Sequence, residues 1–296
     1  MKVIFIILIF LSLHSCGYES KRKLIKTMTY NIHYGMDSNF SNRGKKSALN
    51  QVVEYINEYD LDIILLQEFP QGKKKYASYL EGQQKNPIKY LQENLGNIYN
   101  ITEIISRDGD IYIGGKSLVI ISKFPIINQF TLDLPQPLWH QTRKVLLLRL
   151  KIENRELWIA NTHLYYKENI INYNDLVASL KWIVKQVSAK SSIIFGGDLN
   201  FDKTIDTIDN YEELTEDIDG ESKYKLIESE GFKDPYFVHT KKSSEVLKNT
   251  FISNDKRPDY LFFKNLLCYS YFHGDSNNSD HYPVFAEFYF YELEKK

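Results

Sequence analysis

Short apolar runs recur along most of the chain, and they have two different periods. Eight runs rich in Ile, Val, Tyr and Phe are continuous or alternating, which predicts β-strands. They cover residues 25–32, 62–67, 116–121, 144–150, 157–161, 192–195, 260–263 and 284–289. Residues 44–59 and 172–188 place apolar positions at helical spacing instead, which predicts two amphipathic helices. The pattern therefore indicates many strands with helices interspersed among them.

The strand and helix pattern forms one continuous unit. It has no internal repeat and no long linker rich in Pro, Gly or Ser, which favours a single domain over residues 24–291. A chain of 296 residues can hold one large layered domain, since such domains commonly reach ~250 residues. The polar residues 202–223 are predicted to be a surface loop.

The N-terminal residues form a separate unit. An apolar run at residues 3–13 is too short to span a bilayer as a helix and is followed closely by Cys16. This arrangement resembles a bacterial lipoprotein signal, although His14 departs from the small residues usual at that point. The resemblance implies that residues 1–15 are removed, that Cys16 is lipidated, and that residues 16–23 form a tether. A bacterial cell-envelope protein anchored on the exported side of a membrane is expected; an ordinary cleaved secretion signal or an uncleaved anchor are the alternatives.

Composition and charge exclude several classes of protein. Hydrophobic residues make up 43% and charged residues 25%, which is typical of a globular domain and argues against disorder or several membrane spans. With 37 Lys and Arg against 38 Asp and Glu, the net charge is -1, so the overall basic field of a protein that grips long duplex DNA is absent. A local basic groove stays possible. The second cysteine is Cys268, and no intrachain disulfide can form if Cys16 is acylated.

Polar residues of catalytic types follow several of the predicted strands. Six short motifs lie at or just beyond the end of such a run. They are Thr29-Tyr30-Asn31-Ile32-His33, Leu65-Leu66-Gln67-Glu68, Ala160-Asn161-Thr162-His163-Leu164, Gly196-Gly197-Asp198-Leu199-Asn200, Arg257-Pro258-Asp259-Tyr260 and Ser279-Asp280-His281-Tyr282-Pro283. Any one of them is commonly a turn, a cap or a structural histidine, so the evidence lies in the ordered set.

Together and in this order, the six motifs resemble the endonuclease/exonuclease/phosphatase superfamily, which includes deoxyribonuclease I, abasic-site endonucleases, secreted sphingomyelinases and inositol-phosphate phosphatases. The resemblance runs from about Leu24 to about Tyr289. It implies an α/β fold that is a four-layered sandwich: two mixed β-sheets packed face to face, with helices on the outside. It also implies a metal-dependent hydrolase of phosphoesters, with the motifs gathered at one rim.

The resemblance assigns the metal ligands. Glu68 and Asp280 would supply carboxylate oxygens and Asn31 an amide oxygen, a set that suits Mg²⁺ or Mn²⁺. The sequence has no His-Glu-x-x-His pattern or cysteine cluster that would indicate zinc.

The resemblance also assigns the catalytic residues. Asp198 would orient or deprotonate the attacking water, and Asn200 would donate a hydrogen bond to a phosphoryl oxygen. Asp259 would pair with His281, fixing the tautomer of the imidazole. His163 would be a second phosphate-binding group or acid.

The substrate is the open question. Arg143 matches an Arg that often enters the following strand in this superfamily, and it is either a phosphate contact or a solvated edge charge. Phe69 and Pro70 follow Glu68 where deoxyribonuclease I-like sequences have a basic residue that contacts DNA, which weakens a nuclease interpretation. A lipid head group, a nucleic acid or a sugar phosphate are the candidate substrates, and a monomer is expected. The alternatives are an exported endonuclease acting on DNA or RNA, and an inactive surface-binding protein, against which the intact motif set counts.

Overall fold

The computed structural model describes residues 23–35, 48–71, 86–110, 114–135, 143–166, 169–203, 219–240, 249–252, 256–275 and 279–291. The predicted signal peptide and Cys16 lie outside these ranges. Within them, no helix is both long enough and apolar enough to cross a membrane.

The described residues form two β-sheets. The first contains β1 (Ile25–Asn31), β2 (Ile63–Pro70), β3 (Asn100–Asp110), β4 (Gly114–Ser122), β10 (Leu266–His273) and β11 (Val284–Phe290). The second contains β5 (Ile126–Asp133), β6 (Lys144–Ile152), β7 (Arg155–His163), β8 (Ser192–Asp198) and β9 (Asp259–Lys264). The strand orders are β10-β11-β1-β2-β4-β3 and β5-β6-β7-β8-β9. Only β1 with β2 and β7 with β8 pair in parallel among the described strands, so both sheets are mixed.

The central core lies between the sheets. Because side chains alternate along a strand, one face of each sheet turns inward. Ile25 and Leu65 of the first sheet pack in one buried cluster with Leu148 and Ile159 of the second. Met28 points to the opposite face of β1 and belongs to a separate cluster.

Helices cover the outer faces. Helix α1 (Ala48–Tyr59) and helix α2 (Pro87–Leu95) pack on the first sheet, and helix α3 (Asn169–Gln186) and helix α4 (Gly220–Ser229) pack on the second. A short helix, α5 (Pro235–Thr240), contacts β10 and β9. The order helix, sheet, sheet, helix confirms the predicted four-layered sandwich.

The start of α4 corrects one sequence prediction. Residues 202–223 were predicted to be a loop, but the helix begins at Gly220. Asp219 caps it, because its side chain accepts a hydrogen bond from the Ser222 backbone N–H at 2.7 Å. The apolar pattern is weak here because the helix buries few apolar side chains, chiefly Tyr224 and Ile227.

Candidate active site

Strand register brings the polar motifs to one rim of the sandwich. In the first sheet Asn31 lies beside Gln67, at the carboxyl ends of the parallel strands β1 and β2. In the second sheet His163 lies beside Asp198, at the carboxyl ends of β7 and β8. Asp198 also pairs with Asp259, where the antiparallel strand β9 begins. The functional side chains therefore come from strand ends in both sheets.

A polar bridge beneath the rim joins the two sheets. Gln67 and Asn161 are fully buried, and Gln67 Nε2 donates to Asn161 Oδ1 at 2.8 Å. Asn161 Nδ2 donates in turn to the backbone oxygens of Leu66 and Val119, each at 3.0 Å. Since unpaired amides would be costly at this depth, the bridge fixes how the sheets meet below the site.

Asp259 and His281 form a buried pair. His281 Nδ1 lies 2.8 Å from Asp259 Oδ2, and the two residues are 5% and 0% exposed. Burial alone would lower the pKa of His281, but the neighbouring carboxylates, Asp259 foremost, raise it to about 10. His281 is therefore a charged imidazolium at neutral pH, and its Nε2 lies 3.8 Å from Asp198 Oδ2.

Asp198 is a nearly fully buried carboxylate, 1% exposed, at the rim. Its Oδ2 accepts a hydrogen bond from Asn31 Nδ2 at 2.9 Å, and His163 Nε2 lies 3.3 Å from the same oxygen. Its Oδ1 accepts from the Asn200 backbone N–H at 3.0 Å. Burial raises the pKa of Asp198 to about 6, which is the range of a base that works near neutral pH.

The end of β8 requires glycine. Gly197 has a φ of 133°, and a Cβ at this position would lie 2.0 Å from the Thr162 carbonyl oxygen on β7. Asn200 follows with a φ of 52°, and its Nδ2 donates to the Leu164 carbonyl oxygen at 3.0 Å. The turn after β8 thus holds Asp198 and Asn200 side by side.

A β-bulge turns Glu68 toward the rim. The register between β2 and β4 shifts between Leu66 and Phe69, and Glu68 has a φ of 51°. Its Oε1 lies 2.5 Å from Lys116 Nζ and 3.9 Å from His163 Nε2. Its Oε2 is buried and has no hydrogen-bond partner among the described residues. Burial raises the pKa of Glu68 to about 7.

Asp280 completes the set at the more open side of the site. Its Oδ1 lies 3.9 Å from His281 Nε2 and 3.7 Å from His33 Nδ1, and about a quarter of the side chain is exposed. Ser279 fixes this segment to β1, because its Oγ donates to the Asn31 carbonyl oxygen at 2.7 Å. The predicted ligands Asn31, Glu68 and Asp280 therefore border the same cluster as Asp198 and His281.

Two buried cations lie within the site. Arg143 is 3% exposed, so it is not the solvated edge charge that the sequence left open, and its charge opposes the rise in the Glu68 pKa. Lys116 is 7% exposed, and its Nζ lies 4.3 Å from the centroid of the Tyr34 ring. Sequence reasoning counted Lys116 only as a strand residue, and nothing in its neighbours signals a buried ion pair.

The acidic side chains of the site differ in how well they could bind a cation. Asp198, Asp259 and His281 each offer a ligand atom within 4.8 Å of the others. His281 Nδ1, however, already faces Asp259, so this group is better described as an ion-paired network. Glu68 Oε2 and Asp259 Oδ1 both lack a hydrogen-bond partner among the described residues, but Asp259 is already paired with His281, so Glu68 is the better fit for a hard divalent cation.

A comparison with known families points the same way. The profile of the Endonuclease/Exonuclease/phosphatase family matches residues 28–281. No curated protein sequence matches the chain.

Solved structures share the fold at low sequence identity. An endonuclease/exonuclease/phosphatase from Beutenbergia cavernae is 16% identical with a TM-score of 0.69, covering 91% of this chain and 72% of its own. The human Nocturnin catalytic domain with bound sulfate is 18% identical with a TM-score of 0.66, covering 92% and 98%. A mannosyl-6-phosphatase from Bacteroides thetaiotaomicron is 17% identical with a TM-score of 0.62, covering 90% and 100%.

Proposed function

The chain belongs to the endonuclease/exonuclease/phosphatase family, and from this premise we propose that it is a divalent-metal-dependent phosphoester hydrolase. One observation carries the proposal. Asp198 is a buried carboxylate with a pKa of about 6, and it lies between a hydrogen-bonding amide and two imidazoles. Such a group can take a proton from water near neutral pH, which phosphoester hydrolysis requires.

The surrounding residues divide the work of phosphate hydrolysis. Asp198 orients the attacking water and accepts its proton, while Asn31 holds the carboxylate in place through the 2.9 Å hydrogen bond. His281, charged and oriented by Asp259, stabilises the negative charge that develops on the phosphoryl oxygens. His163 contacts the phosphoryl group from the other side of Asp198.

Asn200 and Arg143 supply the remaining contacts in this proposal. One amide hydrogen of Asn200 is used by the Leu164 carbonyl oxygen, and the other serves a phosphoryl oxygen. Arg143 adds a buried positive charge for an anionic substrate.

We propose Mg²⁺ or Mn²⁺ as the cofactor, held by Glu68 and Asp280 with Asn31 beside them. The Glu68 oxygen without a hydrogen-bond partner supports this, because a buried carboxylate oxygen of that kind calls for a cation. When bound, the metal supplies charge neutralisation for the phosphoryl oxygens.

Because one fold serves several substrate classes, the substrate is identified by assay. Phosphodiesters, phosphomonoesters and nucleic acids all suit this chemistry; a nuclease is the less favoured alternative, because Phe69 is buried where a cation would reach DNA. The test is hydrolysis of chromogenic phosphomonoesters and phosphodiesters with Mg²⁺, with Mn²⁺ and with a chelator. A second panel holds DNA, RNA, sphingomyelin, glycerophosphodiesters, inositol phosphates and mannose 6-phosphate. Full activity in the chelator rejects metal dependence, and no activity on any substrate favours an inactive binding protein.

We also propose attachment to a bacterial membrane through a lipidated Cys16, on the basis of the signal-like sequence before it. The protein should fractionate with membranes, and Cys16→Ser should release it or block its processing. A correctly processed Cys16→Ser protein that stays membrane-bound rejects this proposal.

A further inference from the structure

Lys116 lies inside the candidate active site, and the proposed function gives it no role. It is the third residue of β4, and its Nζ lies 2.5 Å from Glu68 Oε1. The side chain is 9% exposed and passes over the ring of Tyr34. A lysine this deeply buried is uncommon and requires a charged or polar partner.

The ion pair satisfies only half of the Glu68 carboxylate. Lys116 contacts Oε1, whereas Oε2 has no hydrogen-bond partner among the described residues. A divalent cation bound to Glu68 would therefore share one carboxylate with the ammonium group of Lys116. The cation and the ammonium group would both contact this carboxylate, and like charges so close together repel strongly in a buried site, because the effective dielectric is low.

We propose that Lys116 is an internal counter-cation for Glu68, which satisfies the buried carboxylate and weakens its affinity for a divalent cation. The proposal rests on the proposed function, since it takes Glu68 as a metal ligand. In this proposal Lys116 acts through Glu68 on metal affinity, in contrast to a residue that merely supports the fold.

Metal affinity is the decisive readout, because a purely structural lysine would not change it in this direction. Mg²⁺ binding is measured by isothermal titration calorimetry at pH 7.5, just above the Glu68 pKa of about 7 and no higher, because burial lowers the pKa of Lys116. Lys116→Met should bind Mg²⁺ about 3- to 30-fold more tightly than the wild type, through loss of the repulsion. Lys116→Arg keeps the charge and should stay within about twofold of the wild type.

Lys123→Met is the matched control. Lys123 follows the opposite end of the same strand and pairs with Asp60, so its removal should leave Mg²⁺ affinity unchanged. Thermal unfolding adds a second readout: Lys116→Met should melt lower than the wild type in chelator and gain more from saturating Mg²⁺. If Lys116→Met fails to fold, Lys116→Gln removes the charge while keeping a polar partner for Glu68, and the same tightening is expected.

The outcomes separate this inference from the proposed function. Unchanged or weaker Mg²⁺ binding in a folded Lys116→Met or Lys116→Gln variant overturns the role of Lys116 but leaves the hydrolase proposal standing. Absence of Mg²⁺ and Mn²⁺ binding in the wild type overturns both. Tighter binding in the neutral variants, with Lys116→Arg and Lys123→Met unchanged, supports the inference.

Discussion

Two buried ion pairs in this protein differ in how completely the carboxylate of each is hydrogen-bonded. Asp234 accepts from Arg257 through both carboxylate oxygens, with Nη1 to Oδ2 and Nη2 to Oδ1 each at 2.8 Å. The guanidinium also lies 4.8 Å and 4.6 Å from the rings of Tyr236 and Tyr260. At the rim, Glu68 contacts Lys116 through one oxygen and leaves the other without a hydrogen-bond partner.

The Asp234–Arg257 pair supports the fold, whereas the Glu68–Lys116 pair remains open to a ligand. The Arg257 pair is bidentate and stacked on aromatic rings, which suits a rigid structural role. Arg257 stands two residues before Asp259, so the pair also steadies the strand that orients His281. A carboxylate that the protein satisfies only in part, as at Glu68, is expected where chemistry or a cation completes it.

The largest expected effect is on turnover, and it follows a substitution at the rim. Asp198→Asn should lower kcat about 10²- to 10⁴-fold, because the proposed general base is lost. Stability should not fall with it, since burial already disfavours the Asp198 charge and raises the pKa of its carboxyl. Steady-state kinetics and urea unfolding of the same preparation measure both. Near-normal turnover in a folded Asp198→Asn protein would remove Asp198 from the mechanism.

For the Asp234–Arg257 pair, the main expected effect is on stability. Asp234→Asn leaves the buried charge of Arg257 with an incomplete partner and should lower the free energy of unfolding by about 3–5 kcal/mol. The control is Asp133→Asn, which breaks the exposed pair with Lys144 and should change stability by less than about 1 kcal/mol. Equal losses of unfolding free energy in Asp234→Asn and Asp133→Asn, measured by chemical denaturation, would contradict a structural role for the buried pair.

Glu68→Gln should have an intermediate effect, and part of it should be reversible. Loss of the proposed carboxylate ligand should weaken metal binding, so activity should recover partly as the concentration of Mg²⁺ or Mn²⁺ is raised. Its unfolding free energy should fall less than that of Asp234→Asn, since Glu68 contacts Lys116 through one oxygen whereas Asp234 contacts Arg257 through both. Activity that is insensitive to added metal would count against Glu68 as a ligand.

The last expected effect is the most gradual, a pH dependence of stability. The folded-state pKa of His281 is raised to about 10, above its ordinary value of about 6.5, so its contribution to stability is complete below about pH 6.5. That contribution is lost as pH rises toward 10, with a slope of at most about 1.4 kcal/mol per pH unit. Asp259→Asn should flatten the slope, which urea unfolding between pH 7 and 9.5 can measure. Parallel curves for the two proteins would show that the pair does not hold the proton.

The strands that the sequence missed share one position in the fold. All eight predicted strands are present, whereas β3, β5 and β10 were not predicted, and each lies at the edge of a sheet. An edge strand pairs on one side only and exposes more of its residues, as the alternating pattern of β5 shows. The apolar signal of β5 is correspondingly weak, whereas β10 is largely apolar and was missed in spite of it, and β9, the fourth edge strand, was predicted.

Apolar runs in the sequence predicted eight strands, and the resemblance carried by the six motifs implied the layered fold and their gathering at one rim, with functional residues at or next to strand ends. Local signals of this kind survive in a linear pattern. The folded chain alone places Lys116 against Glu68, 48 positions earlier, and Asp234 against Arg257, 23 positions later. Such pairs depend on register, bulges and burial between distant segments, and the physical reason they escape sequence reasoning is that a charge is costly or useful only in the environment that folding builds around it.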